Sequence, residues 1–298
     1  MTNKSNYLHW IPKALRGFFV KTVCEPNIPQ LISRIRSGVI HIEFHLNKTR
    51  VASGSAFMAH GLLLTNHHVF LGPPQSTVVL AWQPSQDPSS RTEVRMSYPD
   101  FANCLVTGSD QRNYDFAALR IPQLQNSGLH QFNLVSPVNK QVGESVLVLG
   151  FPLEHRNLVC HQGTISSFYP SGPVSVIQLD ASVNQSNSGG PLIDPNTGDV
   201  IGIVTRKGTG LTGLFDELLA VFDQNVTALK ASTGMIGLGT IDPIAALIAG
   251  QNQMKALAGE IQRSANVGIG YAFSIEHILS DATIFVLEEN CNQVNQAK

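Results

Sequence analysis

Residues 185–194 read QSNSGGPLID. A serine followed by two glycines and a proline, set between two apolar runs, is a tight backbone turn with an exposed hydroxyl. Glycine admits the positive φ angles through which consecutive amide N–H groups converge on one point. Such a concavity stabilises the oxyanion formed when a hydroxyl attacks a carbonyl. A serine hydroxyl is a weak nucleophile at neutral pH, so the turn gains chemistry only beside a base and a group that orients the base. By itself, SGG is an ordinary glycine-rich turn.

Two upstream segments supply the partners. Residues 61–70 (GLLLTNHHVF) carry an apolar strand into a polar turn that holds His67 and His68. Residues 114–121 (YDFAALRI) place a lone acid, Asp115, at the opening of another apolar strand. With Ser188 the chain order is His, Asp, Ser.

The rest of the chain has a β texture up to Arg206. From Val39, Ile40, Ile42, Phe44 and Leu46 alternate with His41, Glu43 and His45, which predicts a strand with one buried face. Short apolar runs follow at 55–65, 77–82, 116–121, 145–151, 174–179 and 200–205, separated by turn formers. Many short strands at this spacing imply an all-β sandwich or barrel, with a seam at 122–140. The first 36 residues read as two short helices, with Pro12 and Pro29 near their starts. After Arg206, Phe215, Leu218, Leu219, Phe222, Val226 and Leu229 recur at helical intervals. A glycine-rich link (233–241) follows. Asp242-Pro243 then opens a second helix carrying Ile244, Leu247, Ile248, Met254, Leu257, Ala258 and Ile261. Residues 268–273 return to strand, and a closing helix is expected from about Ser274.

Composition narrows the function classes. With 43% hydrophobic residues, the 298-residue chain can bury a substantial core. Its 20 Lys+Arg against 21 Asp+Glu leave a net charge of -1, which removes the main electrostatic reason for a nucleic-acid partner. The longest apolar stretch, 236–250, is broken by Asp242 and Pro243, so no membrane span is expected. Cys24, Cys104, Cys160 and Cys291 are scattered without CxxC or zinc-ligand spacing and read as reduced thiols. No secretory signal is visible, and a cytoplasmic location is expected. His41 and His45 in HIEFH read as strand residues, not metal ligands, and Cys160-His161 as structural.

As a set, GSAF (54–57), LLTNHHV (63–69), YDFAALRI (114–121), VLGFP (148–152), SNSGGPL (186–192), GDVIGIVT (198–205) and GIGYAF (268–273) resemble the trypsin-like, chymotrypsin-fold serine proteases. The likeness is nearest to the HtrA/Deg branch and covers roughly residues 37–206 and 267–280. The chain order separates it from the nucleophile-first α/β-hydrolases and the acid-first subtilisins. The resemblance implies an all-β core of two six-stranded antiparallel barrels with the active site in the cleft between them. On this basis 1–36 is an N-terminal helical segment and 37–125 the first barrel. The second barrel is 138–274, with a helical insertion at 207–267, and 275–298 forms a C-terminal helix and tail. No PDZ module is expected after GIGYAF.

Residue by residue, the T-N-x-H-V pattern implies His68 as the base, with His67 a neighbouring turn residue. Asp115 would orient His68, and Ser188 would be the nucleophile. The backbone N–H groups of Ser188 and Ser186, with Asn187 beside them, would form the oxyanion hole. The resemblance puts Ser182 at the base of the substrate pocket, the backbone of 203–206 (Val204 and Thr205 among them) along the substrate, and Gly268 and Gly270 in the opposite wall. An uncharged base implies a small or medium apolar residue before the scissile bond. Three departures stand out. Val69 replaces the cysteine of secreted members. Asn187 replaces the aspartate that pairs with a newly cut N-terminus, so no zymogen cleavage is implied. Ser186 stands where the family has glycine, and a side chain there disfavours the geometry that aims its N–H at the oxyanion.

The expected function is serine endopeptidase activity on protein or peptide substrates, without metal or organic cofactor. The insertion would act as a lid or as a surface for a regulatory partner or self-association. A non-enzymatic protease-fold scaffold and an esterase-like or self-cleaving activity stay open.

Overall fold

The computed structural model describes residues 26–152, 155–184, 186–205, 210–232, 242–264 and 268–284. The helix expected near Pro12, the glycine-rich link at 233–241 and the tail beyond 284 lie outside the described residues.

Helix α1 (Ile28–Ile35) starts where expected: Asn27 Oδ1 accepts the N–H of Gln30 at 3.1 Å, and Pro29 sits in the first turn. Strands β1 (Val39–Leu46) and β2 (Thr49–Ala59) are joined by Asn47-Lys48, at φ 48° and 69°. A two-residue loop with both residues left-handed matches the natural twist of a hairpin. The next hairpin, from β2 to β3 (Leu62–Thr65), repeats the device with His60-Gly61. After them come α2 (His67–Phe70), β4 (Thr77–Trp82), β5 (Thr92–Ser97), α3 (Tyr98–Asn103), β6 (Leu105–Ser109) and β7 (Phe116–Leu119). These strands form one antiparallel sheet in the order β5-β4-β1-β2-β3-β7-β6.

That sheet departs from the expected six-stranded barrel. It has seven strands, and its two edges are not paired with each other among the described residues. The edge strands β5 and β6 are largely solvent-exposed, and β6 slips register between Leu105 and Thr107. Val94 and Met96 of β5 pack on the core of this sheet and Val106 of β6 on the core shared with the second unit, so the two edges serve different clusters and do not meet.

The second unit matches its expectation. Strands β8 (Ser145–Gly150), β9 (Val159–Ser171), β10 (Val174–Asp180), β11 (Pro191–Ile193), β12 (Val200–Thr205) and β13 (Ile269–Ser274) close into a six-stranded barrel, in the order β10-β13-β12-β11-β8-β9. Between β12 and β13 the chain forms α4 (Gly210–Ala231) and α5 (Pro243–Ser264), and α6 (Glu276–Leu279) follows β13.

Three apolar clusters hold the fold together. One fills the first sheet (Ile40, Ile42, Met58, Leu63, Leu80, Phe101) and one the closed barrel (Val146, Val148, Ile177, Leu179, Ile201, Val204). The third joins the two units: Phe57, Leu62 and Leu64 of the first meet Leu147, Phe151 and Ile203 of the second, with Leu31, Ile35 and Ile278 sealing the ends.

Strand β1 is buried on both faces instead of one. Its position at the middle of the sheet turns the polar positions toward the segment after β8. His41 is 0% exposed and stacks on Phe151, with ring centroids 4.6 Å apart and planes 5° from parallel. Burial, helped by Arg91, Arg50 and Arg156 and opposed by Glu43, pushes its pKa down to about 3, so it is neutral. Glu43, 3% exposed, receives His45 Nε2 at 3.0 Å, Arg91 Nη2 at 3.2 Å and Arg50 Nη1 at 3.5 Å. Arg91 also donates to the Arg156 carbonyl at 3.1 Å, which ties the β8–β9 connection to the first sheet.

The insertion is an antiparallel helical pair: Asp223 meets Lys255 at 2.5 Å and Asn225 meets Gln251 at 3.3 Å. Val226, Ile244 and Ala258 are buried, whereas Leu214, Leu218, Leu247, Met254, Leu257 and Ile261 are exposed. The apolar stripes therefore have an outer face that no other described element covers. Among the described residues no helix is long and apolar enough to cross a membrane.

Candidate active site

The three polar residues singled out by chain order converge where the two units meet. Strand β3 delivers Asn66 and the α2 turn, and His68 projects from that turn. Asn66 Nδ2 donates to the Asp115 carbonyl at 3.0 Å, locking the His-bearing turn to the start of β7. Asp115 is 2% exposed and holds φ 47°, a left-handed conformation unusual outside glycine. One carboxylate oxygen accepts the backbone N–H of His68 at 3.0 Å, and the other lies 2.8 Å from His68 Nδ1. A carboxylate only accepts, so Nδ1 carries a proton and, in the neutral ring, the lone pair is on Nε2. His67 makes no such contact; its ring packs against Phe70 at 5.9 Å.

The Ser188 turn is held by three backbone hydrogen bonds, to Ser55 on one side and Val204 on the other. Its carbonyl accepts the N–H of Ser55 at 2.8 Å. The Gly189 N–H donates to the Val204 carbonyl and the Val204 N–H to the Gly190 carbonyl, both at 2.8 Å. Gly189, at φ 86°, has no room for a side chain, because a Cβ would run into the Ser55 carbonyl and Thr65 Oγ1. His68, Ser186 and Ser188 line a cleft of about 230 Å³ together with Phe44, Ser53, Val69 and Leu71. Among the described residues no hydrogen bond joins His68 Nε2 to Ser188 Oγ, and no set of three or more His, Cys, Asp or Glu side chains is placed to hold a metal ion.

Ser186 adopts φ 72° in spite of its side chain. Its carbonyl accepts Ser55 Oγ at 2.7 Å, and its hydroxyl pairs with Ser53 Oγ at 2.9 Å. Ser55 Oγ in turn accepts the Phe151 N–H at 3.0 Å, so one hydroxyl connects both units beneath the turn. Sequence reasoning missed this support. GSAF marks Ser55 as part of a motif, but nothing local in it points to partners 131 and 96 residues away.

Other expected site residues fall differently. Asn187 is 0% exposed, its side-chain amide lies against Gly150, and its backbone N–H donates to the Asn184 carbonyl at 3.1 Å. Both of its amide atoms lack partners among the described residues. Val204 is fully buried and spends both backbone groups on the Ser188 turn. Thr205 is also buried, in register with Tyr271. Ser182 is exposed, and Gly270 is buried against Val183 and the Ala181 carbonyl, so these two neighbour one another. Gly268 stands at φ 75° before β13.

A trypsin-like peptidase domain model matches residues 52–203, just over half of the chain. Protease Do-like 1, chloroplastic, of Arabidopsis thaliana is 30% identical over 248 residues, covering 76% of this chain and 52% of the relative. Serine protease PepD of Mycobacterium tuberculosis is 28% identical over 249 residues, covering 79% and 46%. The chain thus spans about half the length of the curated relatives it matches. A solved structure of the HtrA-type protease AlgW with tripeptide superposes with a TM-score of 0.52 at 22% identity, covering 85% of this chain and 62% of that one, a likeness of fold. With the fold, the motif set and these relatives in agreement, the chain belongs to the trypsin-like peptidases, on their HtrA-type branch.

Proposed function

We propose that this chain is a serine endopeptidase in which Ser188 is the nucleophile, His68 the general base and Asp115 the group that orients it. The observation that carries the reading is the two-point grip of Asp115 on His68, at 2.8 Å and 3.0 Å, beside a cleft that also holds Ser188. In this mechanism Ser188 Oγ attacks the substrate carbonyl carbon while His68 Nε2 takes its proton. Asp115 stabilises the resulting imidazolium. The backbone N–H groups of Ser186 and Ser188 receive the negative charge that develops on the carbonyl oxygen. His68 then gives its proton to the leaving amine, and water, activated by the same nitrogen, releases the acyl group from Ser188.

The substrate on this reading is a peptide that enters from the Ser182 and Gly270 side. Access is controlled by the α4–α5 pair, because that insertion leaves β12 directly after Thr205, the neighbour of the residue that grips the Ser188 turn. A peptide-binding scaffold is the second reading, favoured by the lack of a His68–Ser188 hydrogen bond among the described residues. A fluorophosphonate probe, with its adduct mapped by mass spectrometry, separates the two. An adduct on Ser188 that disappears in His68→Ala is expected of the endopeptidase. A chain that binds peptide and never labels is the scaffold.

A further inference from the structure

The tether on Ser186 bears on how the oxyanion site is aimed, an argument that rests on the Ser188 reading above. A glycine would reach a left-handed φ without cost; here a serine holds φ 72°. Two hydroxyls from β2 grip it at different points. Ser55 Oγ donates to the Ser186 carbonyl at 2.7 Å, and Ser53 Oγ pairs with Ser186 Oγ at 2.9 Å. The first fixes the direction from Cα to the carbonyl carbon, the second the direction from Cα to Cβ. With both held, the position of the amide nitrogen follows, and the φ of 72° sets the plane in which its N–H points. Glycine has no Cβ and could not be held this way.

We infer that Ser53 is a positioning residue for catalysis: through the Ser186 hydroxyl it aims the Ser186 N–H at the oxyanion. Ser53 lines the cleft together with Ser186 and Ser188, so a substrate bound there would shield the tether from water. Shielding strengthens the hydroxyl pair as the site fills. Ser53 does its work through Ser186 and leaves substrate affinity alone.

The test is a double-mutant cycle on a peptide ester, with the rate of fluorophosphonate labelling of Ser188 measured in parallel. Ser53→Ala and Ser186→Ala are each expected to lower kcat and the labelling rate about fivefold, the worth of one hydrogen bond, with KM within about twofold. The double variant is expected to be no worse than either single variant. Ser53→Thr, which keeps the hydroxyl, is expected to retain the wild-type rate, and Ser53→Cys, which keeps the size, is expected to behave like Ser53→Ala. Additive losses, a change confined to KM, or an unaffected Ser53→Ala overturns the inference while the Ser188 reading stands. Undiminished hydrolysis in Ser188→Ala, or no label on Ser188 in the parent chain, overturns the Ser188 reading and this inference with it.

Discussion

Acidification should destabilise this protein well above the pH at which its carboxylates titrate, and two imidazoles set the size of the effect. Burial holds His41 at a pKa of about 3 and His277 at about 4, against an ordinary 6.5. His41 is stacked on Phe151, and His277 on Tyr114 at 4.8 Å. Both folded-state values are depressed, so below pH 6.5 the unfolded chain binds protons that the folded chain refuses, and stability falls as pH falls. At about 1.36 kcal/mol per pH unit, each group costs about 2 kcal/mol between pH 7.5 and pH 5.0, or about 4 kcal/mol together. His130 and His161, also lowered by burial, act in the same direction. At roughly 2–4 °C per kcal/mol for a chain of this size, Tm should drop by about 8–16 °C. Urea unfolding at the two pH values measures the loss directly. His41→Phe with His277→Phe keeps both ring stacks and removes both proton sites, so most of the pH dependence should vanish. If the double variant loses as much stability on acidification as the parent chain, buried neutral imidazoles are not the cause.

Three more outcomes can be checked directly. Asp115→Asn should leave the fold intact and lower kcat on a peptide ester by about four orders of magnitude, because an amide does not enforce the Nδ1–H tautomer. Asn187→Asp places a carboxylate at a site with no partner among the described residues, and should cost about 3 kcal/mol at pH 8 by chemical denaturation. The sign is that of an acid whose folded pKa is raised, so the deficit should fade as pH falls toward 4. Replacing 209–265 by a short Gly-Ser loop should raise turnover of a small ester about tenfold, if the open state is a minor one near 10%. A folded deletion variant with unchanged kinetics would remove the insertion from access control.

Much of this architecture was legible as pattern. Alternation and turn formers marked the strands, and Asn27 with Pro29 marked the start of α1. The motif set placed His68, Asp115 and Ser188 at one site. What escaped was whatever depends on the second neighbour of a residue. Alternation in β1 implied one wet face, yet its central place in the sheet buries His41 and Glu43 as well. The edge strands β5 and β6 carry no continuous apolar run and were not marked as strands, so the open seven-stranded sheet was not foreseen. The family resemblance put Val204 along the substrate; in the fold its backbone is bonded to Gly189 and Gly190, a pairing invisible in the sequence. The Ser53 and Ser55 hydroxyls belong to a strand distant in sequence from the turn they hold, and hydroxyls carry no periodicity that would announce them.

The apolar cluster shared by the two β units has a mechanical corollary. His68 and Ser188 belong to the two units on either side of it, and Phe57, Leu64, Leu147, Phe151 and Ile203 cannot part without entering water together. The halves therefore lack an independent hinge, and calorimetry of the chain should record one heat-absorption peak for both. Opening and closing of this cleft is left to rim segments, while the spacing between His68 and Ser188 persists up to the melting point.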